Sequence, residues 1–246
     1  MNAWEGLTLA DWNDRYVAAA AILQAALLAG CQEASDPAPV ANRTAPVNTA
    51  APAEVPRPVG EERLVLAFGD SLYAGYGLDR GQSLPDAIQR GLRLRGINAT
   101  LVNAGVSGDT SAAGRQRLAF ALDNLPRTPD LVLLGLGGND VLRQIAPSET
   151  EANLTAMLDL LRSRDIPVVL TGMLAPPNLG PEYAQRFNAI YPRLSSEYDA
   201  GLYPFILDGV IGNRQLMLSD GVHPNAQGVD RIAERLLPVV AERLDG

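Results

Sequence analysis

The sequence predicts an α/β fold: a parallel five-stranded sheet with helices on both faces, a three-layer sandwich. Two observations carry this. Runs such as residues 63–68 (RLVLAF) and 130–136 (DLVLLGL) are almost continuously apolar rather than alternating, as strands buried on both faces must be. Between such runs lie segments with helical spacing, and strands that alternate with helices of this length pair in parallel, because each return crosses over through a helix.

In chain order, residues 63–68 make the first strand. Residues 84–95 follow as a helix, with Leu84, Ile88 and Leu92 on one side, Ser83 as its cap and Pro85 in its first turn. Residues 99–103 are the second strand, 110–125 a helix, and 130–136 the third and most apolar strand. Ser148-Glu149-Thr150-Glu151 opens the next helix with the pattern of a capping box, and that helix runs to about residue 164. Residues 167–171 form the fourth strand, 183–198 a helix, 202–207 the fifth strand, and 225–244 the last helix. Ligand sites of such sheets lie beyond the carboxyl ends of the strands. Ser71, Gly108, Asn139 and the loop 173–180 each follow a predicted strand, so they converge on that edge.

The chain has 246 residues, 47% hydrophobic, and a formal net charge of -8. That supports a sizeable core. All 20 basic residues are arginine, without a basic run, which is a poor basis for nucleic-acid binding. The absence of lysine removes Ser-Lys and Schiff-base chemistry. With one histidine and one cysteine, no zinc site of such ligands and no intrachain disulfide can be assembled. A carboxylate-only magnesium or calcium site has no motif behind it.

The amino-terminal part reads differently. Residues 16–31 hold an apolar stretch of about 14 residues ending at Cys31. This is short of the roughly 20 a spanning helix needs and suits a signal-peptide core. Leu28-Ala29-Gly30-Cys31 resembles the bacterial lipobox, which implies lipidation at Cys31. Residues 1–31 are therefore expected to be a signal peptide, and 32–60, rich in Ala and Pro, a disordered tether. Residues 61–246 would be the folded domain, held at the periplasmic face of a bacterial envelope. Ordinary secretion and a short buried helix are the other readings. Glu5, Asp11 and Asp14 against Arg15 alone fit a signal peptide badly, which leaves open a translation start nearer Arg15.

The chemistry gathers around the single histidine. His223 lies three residues after Asp220 in Asp220-Gly221-Val222-His223-Pro224, close enough for one turn to present both side chains. Ser71, in Gly69-Asp70-Ser71-Leu72, supplies a hydroxyl. Together they offer a nucleophile, a base and a group to orient the base. The surroundings are unlike the G-x-S-x-G elbow, since position 73 is Tyr.

Four blocks resemble the SGNH (GDSL) hydrolase superfamily: Gly69-Asp70-Ser71-Leu72, residues 103–110 (NAGVSGDT), Gly137-Gly138-Asn139-Asp140, and residues 220–224 (DGVHP). The likeness spans about residues 63–245. The phrases GLGGNDVLR, APPNLGPEYAQRFNAIYPRL and DGVHPNAQG look most like the bacterial acyl-CoA thioesterase I, lysophospholipase L1 and arylesterase group. The resemblance implies a flavodoxin-like sheet, hydrolysis of acyl esters and thioesters, and no cofactor. It implies Ser71 as nucleophile, with the Ser71 and Gly108 N–H groups and the Asn139 amide meeting the oxyanion. The loop 141–146 is similar to the one that moves over acyl chains in that group. Val141, Leu142, Met173, Leu174 and Asn178 are the candidate pocket residues; Met173 and Leu174 could equally be loop packing.

Plainer readings exist for each residue. Ser71 could cap a helix and His223 could be a surface histidine. Asp70, Asp109 and Asp140 could be a glycosidase's paired carboxylates, though turn and cap roles suit them better. Deacetylation of carbohydrate or peptidoglycan is the alternative activity within the superfamily, and a non-catalytic envelope lipoprotein is the third reading. Both tryptophans lie upstream of Cys31 and the chain has only four phenylalanines, so the domain has few platforms on which sugars could stack.

Overall fold

A computed structural model describes residues 55–245. The predicted signal peptide, Cys31 and most of the tether lie outside the described residues. Five strands form the sheet: β1 (Arg63–Gly69), β2 (Ala99–Gly105), β3 (Leu131–Gly135), β4 (Val168–Thr171) and β5 (Gly201–Tyr203). All pair in parallel in the order β2-β1-β3-β4-β5. This is the flavodoxin-like order, whose connections reverse direction between β1 and β3 and open a crevice at their carboxyl ends.

Alternate strand residues divide the core in two. Val65, Ala67, Leu131, Leu133 and Val169 face helices α2 (Leu84–Leu94) and α8 (Ala226–Asp245). Leu66, Phe68, Val132, Leu134 and Leu170 face α3 (Ser111–Asp123), α5 (Pro147–Ser163), α6 (Pro181–Asn188) and α7 (Ile190–Tyr198). Two short helices sit on strand ends: α1 (Ser71–Ala74) after β1 and α4 (Gly138–Leu142) after β3. Among the described residues no helix is long and apolar enough to cross a membrane.

Local chemistry explains where the expected elements shift. Ser83 and Asp86 cap α2 reciprocally, with Pro85 in its first turn, as expected. Helix α5 starts one residue early, at Pro147, without a side-chain cap. Glu151 pairs with Arg193 and Thr150 turns inward to Asp140, so the predicted capping box does not form. The helix expected over 183–198 is two helices joined at Ala189. Pro192 has no N–H for the Asn188 carbonyl, and its ring crowds that carbonyl. The fifth strand is half as long as expected because Pro204 cannot donate to the ladder.

The coil 55–62 lies at the amino ends of the strands. Asn98 Nδ2 donates to the Gly60 carbonyl at 2.9 Å, and Thr100 Oγ1 donates to Glu62 Oε1 at 2.5 Å. The last residues assigned to the tether thus touch the domain on the side away from α1 and α4.

Candidate active site

Strands β1, β2 and β3 end in glycines in register, Gly69 opposite both Gly105 and Gly135. A side chain at any of the three would collide with Tyr73 or its backbone. The missing side chains let α1 lie across the strand ends with Tyr73 fully buried, its hydroxyl 3.0 Å from Thr171 Oγ1. The Asp70 carboxylate caps α1 by accepting the Leu72 N–H at 3.0 Å, and Gly75, at φ 80°, ends the helix. Ser71 is therefore the first residue of α1, and the capping role belongs to Asp70.

His223 comes from a tight turn. The Leu218 N–H donates to the His223 carbonyl at 2.8 Å, and Met217 bridges to Pro224. Within it Asp220 Oδ1 accepts the N–H groups of Val222 at 2.9 Å and His223 at 3.0 Å. Asp220 Oδ2 lies 2.7 Å from His223 Nδ1, and His223 Nε2 lies 2.9 Å from Ser71 Oγ. Partial burial pushes the Asp220 carboxyl up, but the backbone and ring hydrogen bonds of His223, with the Val222 N–H, outweigh it and hold it below its ordinary value. A carboxylate so held remains ionised beside the ring. The Tyr76 ring, not anticipated from sequence, lies against the imidazole with centroids 4.4 Å apart.

The third group of residues surrounds the same hydroxyl. Asn139 is in the first turn of α4, after Gly137 at φ 115°, where any side chain would strike the Tyr191 hydroxyl. One Asn139 Nδ2 hydrogen goes to the Asp109 carbonyl at 2.9 Å, and the other remains for a ligand. Gly108, at φ 87°, accepts from Arg143 Nη2 through its carbonyl at 2.9 Å. Among the described residues, neither the Ser71 nor the Gly108 N–H donates to another protein group.

Buried charges brace this arrangement. Asp140, fully buried, accepts the Ser111 N–H at 2.8 Å and both the Ser111 and Thr150 hydroxyls. Asp109 pairs with Arg117 Nε. The other Arg117 nitrogens donate to the Ala104 carbonyl at 2.7 Å and the Gly69 carbonyl at 2.8 Å, and its guanidinium lies 3.9 Å above the Phe68 ring. Burial pushes the Asp70 carboxyl up to about 6, opposed by the Leu72 N–H and His223 and helped by Asp109 and Asp140. These three aspartates thus cap, brace and pair. The roles of Tyr73, Tyr76 and Arg117 went unread in the sequence, although tyrosines three apart, at 73 and 76, were a visible signal.

Ser71, Gly108, Asn139, Asp220 and His223 all line one cleft of about 980 Å³. All five candidate pocket residues, Val141, Leu142, Met173, Leu174 and Asn178, line it as well. Val141 and Leu142 belong to α4 rather than to a free loop. Leu207, from the end of the expected fifth strand, also lines it, as do Ile211, Met217 and Leu218, which were not anticipated because residues 208–222 show no periodicity.

Residues 67–231 match the GDSL-like lipase/acylhydrolase family. The chain belongs to that family. It is 38% identical over 176 residues to Esterase TesA of Pseudomonas aeruginosa, covering 72% of this chain and 87% of that one. It is 36% identical over 180 residues to thioesterase 1/protease 1/lysophospholipase L1 of Escherichia coli K12, covering 72% and 84%. Among solved structures, AlinE4, an SGNH-hydrolase family esterase, superposes with a TM-score of 0.65 at 50% identity, over 75% of this chain and 97% of that chain. This family member has the SGNH hydrolase fold and is a carboxylic ester hydrolase.

Proposed function

We propose that the protein is a serine esterase acting through Ser71, His223 and Asp220 by way of an acyl-enzyme. Ser71 Oγ attacks the ester carbonyl while His223 Nε2 takes its proton, and His223 then protonates the leaving oxygen. Asp220 holds the ring and balances the imidazolium. The Ser71 N–H, the Gly108 N–H and the free Asn139 amide hydrogen meet the oxyanion, and water repeats the sequence on the acyl-enzyme. The observation that carries this reading is the hydrogen-bonded line from Asp220 through His223 to Ser71 at a mostly apolar cleft.

The substrate class is acyl esters, and thioesters and lysophospholipids join it by the names of the relatives. The apolar residues of the cleft favour acyl chains over acetylated carbohydrate. Ser71→Ala is expected to abolish hydrolysis of p-nitrophenyl esters without changing the unfolding midpoint, since a small change at a half-buried site alters stability little. Retention of more than a few per cent of the rate in purified variant protein would overturn the assignment.

The protein acts at the cell envelope, anchored through a lipidated Cys31. The lipobox-like sequence and the Ala/Pro-rich stretch after it support this. Cys31→Ser should release the protein from the membrane fraction and block incorporation of labelled fatty acid. Soluble wild-type protein whose amino terminus is not Cys31 would instead indicate ordinary secretion.

A further inference from the structure

We infer that Arg214 is an anion receptor on the leaving-group side of the cleft, favouring esters whose alcohol half carries a phosphate. The inference rests on the serine-esterase reading above. Arg214 is exposed and lines the cleft that holds Ser71 and His223. It is the one cation among the described residues that line it. Most arginines of this acidic chain are engaged: Arg117 by Asp109, Arg235 by Asp208 and Arg243 by Asp199. Among the described residues Arg214 has no hydrogen bond or ion pair. The Arg80 and Arg95 side chains are likewise unpaired among the described residues but do not line the cleft.

The position of Arg214 decides which half of a substrate it meets. It belongs to segment 207–223, which also carries His223 and lines the cleft through Leu207, Ile211 and Met217 as well. Asn139, Val141 and Leu142 line the cleft from a different element, α4. His223 must reach the leaving oxygen to protonate it, so the alcohol half lies against the segment that carries His223. Asp220, the exposed carboxylate of that segment, is already committed to His223. A guanidinium offers paired donors that match phosphate oxygens, and an exposed one needs little desolvation to bind them. Such a contact acts on binding rather than on the chemical step, and salt screens it.

The test compares two esters that differ only by the phosphate, 1-octanoylglycerol 3-phosphate and 1-octanoylglycerol, as monomers at low ionic strength. The wild-type protein should show the lower KM for the phosphate ester, and added salt should erode that preference. Arg214→Gln should raise the KM for the phosphate ester about fivefold with kcat little changed, bringing the two esters together. Arg214→Lys should keep part of the preference. Equal KM shifts for both esters, a preference intact in Arg214→Gln, or wild-type protein with no preference or no activity on either would overturn the inference. Hydrolysis surviving in Ser71→Ala would instead overturn the serine-esterase reading.

Discussion

At the scale of single residues, Asp70 joins stability to function. Its side chain is 3% exposed, and burial, ahead of the opposing Leu72 N–H and His223, raises its carboxyl from 3.8 to about 6. The folded protein therefore holds this proton more tightly than the unfolded chain. The stability this gives is full below about pH 4 and is lost as pH rises through about 6. Asp70→Asn keeps an acceptor for the Leu72 N–H and removes the buried charge. The stability of the variant relative to wild type should rise by roughly 2 kcal/mol between pH 4 and pH 7 in urea titrations. Parallel pH curves for the two proteins would refute the linkage. The variant should also turn over several-fold more slowly, because the Asp70 charge favours the imidazolium. Asn139→Ala should lower kcat by about a hundredfold with a smaller change in KM, since its amide acts on charge that develops in the transition state. An unchanged kcat would remove Asn139 from the oxyanion. The chain has one histidine, and protonation of its ring removes the base, so the rate must fall on the acid side, where loss of the Asp70 charge adds to the fall. An acid limb that persists in His223→Gln with undiminished rate would leave the triad without its base.

At the scale of elements, short helices place the reactive groups, and buried polar anchors place the helices. Helix α4 has five residues, too few to be stable by itself. The buried Asp140 fixes it to α3 through Ser111 and to α5 through Thr150. Asp140→Ala should cost about 3 kcal/mol, because it strands buried donors, and should lower kcat through the displaced Asn139. Thermal unfolding and steady-state kinetics on one preparation check both effects; loss of stability at full kcat would show that α4 does not depend on this anchor. Arg117 does the corresponding work for α1, joining the ends of β1 and β2 to the loop that bears Gly108.

At the scale of the whole molecule, the parallel sheet puts the entry of the chain and the chemistry at opposite edges. The coil 55–62 sits at the amino ends of the strands, while the cleft opens beyond their carboxyl ends. The described coil therefore lies at the edge away from the cleft. Protein beginning at Glu61 should retain the wild-type kcat/KM on p-nitrophenyl esters. It should lose little stability, chiefly the contact of Asn98 with the Gly60 carbonyl. A large drop in kcat/KM would mean that the upstream segment reaches the cleft.

Much of this protein can be read from sequence because each signal is local. Apolar runs buried on both faces, helical spacing, Gly-Asp-Ser and Asn-Asp after strands, and Asp-x-x-His before the last helix identified the sheet, its parallel sense and the residues that meet. Pro192 and Pro204 were as local, yet their effects went unread: a helix broken at Ala189 and a fifth strand ended at Tyr203. Tertiary structure alone decided what depends on residues far apart in the chain. Tyr73 fits because three strand-end glycines lie in register, and Asp140 is satisfied by Ser111, 29 positions away. Part of the cleft lining comes from an aperiodic segment shaped by its neighbours. Periodicity reports which face of an element is buried; packing decides which distant surface covers it.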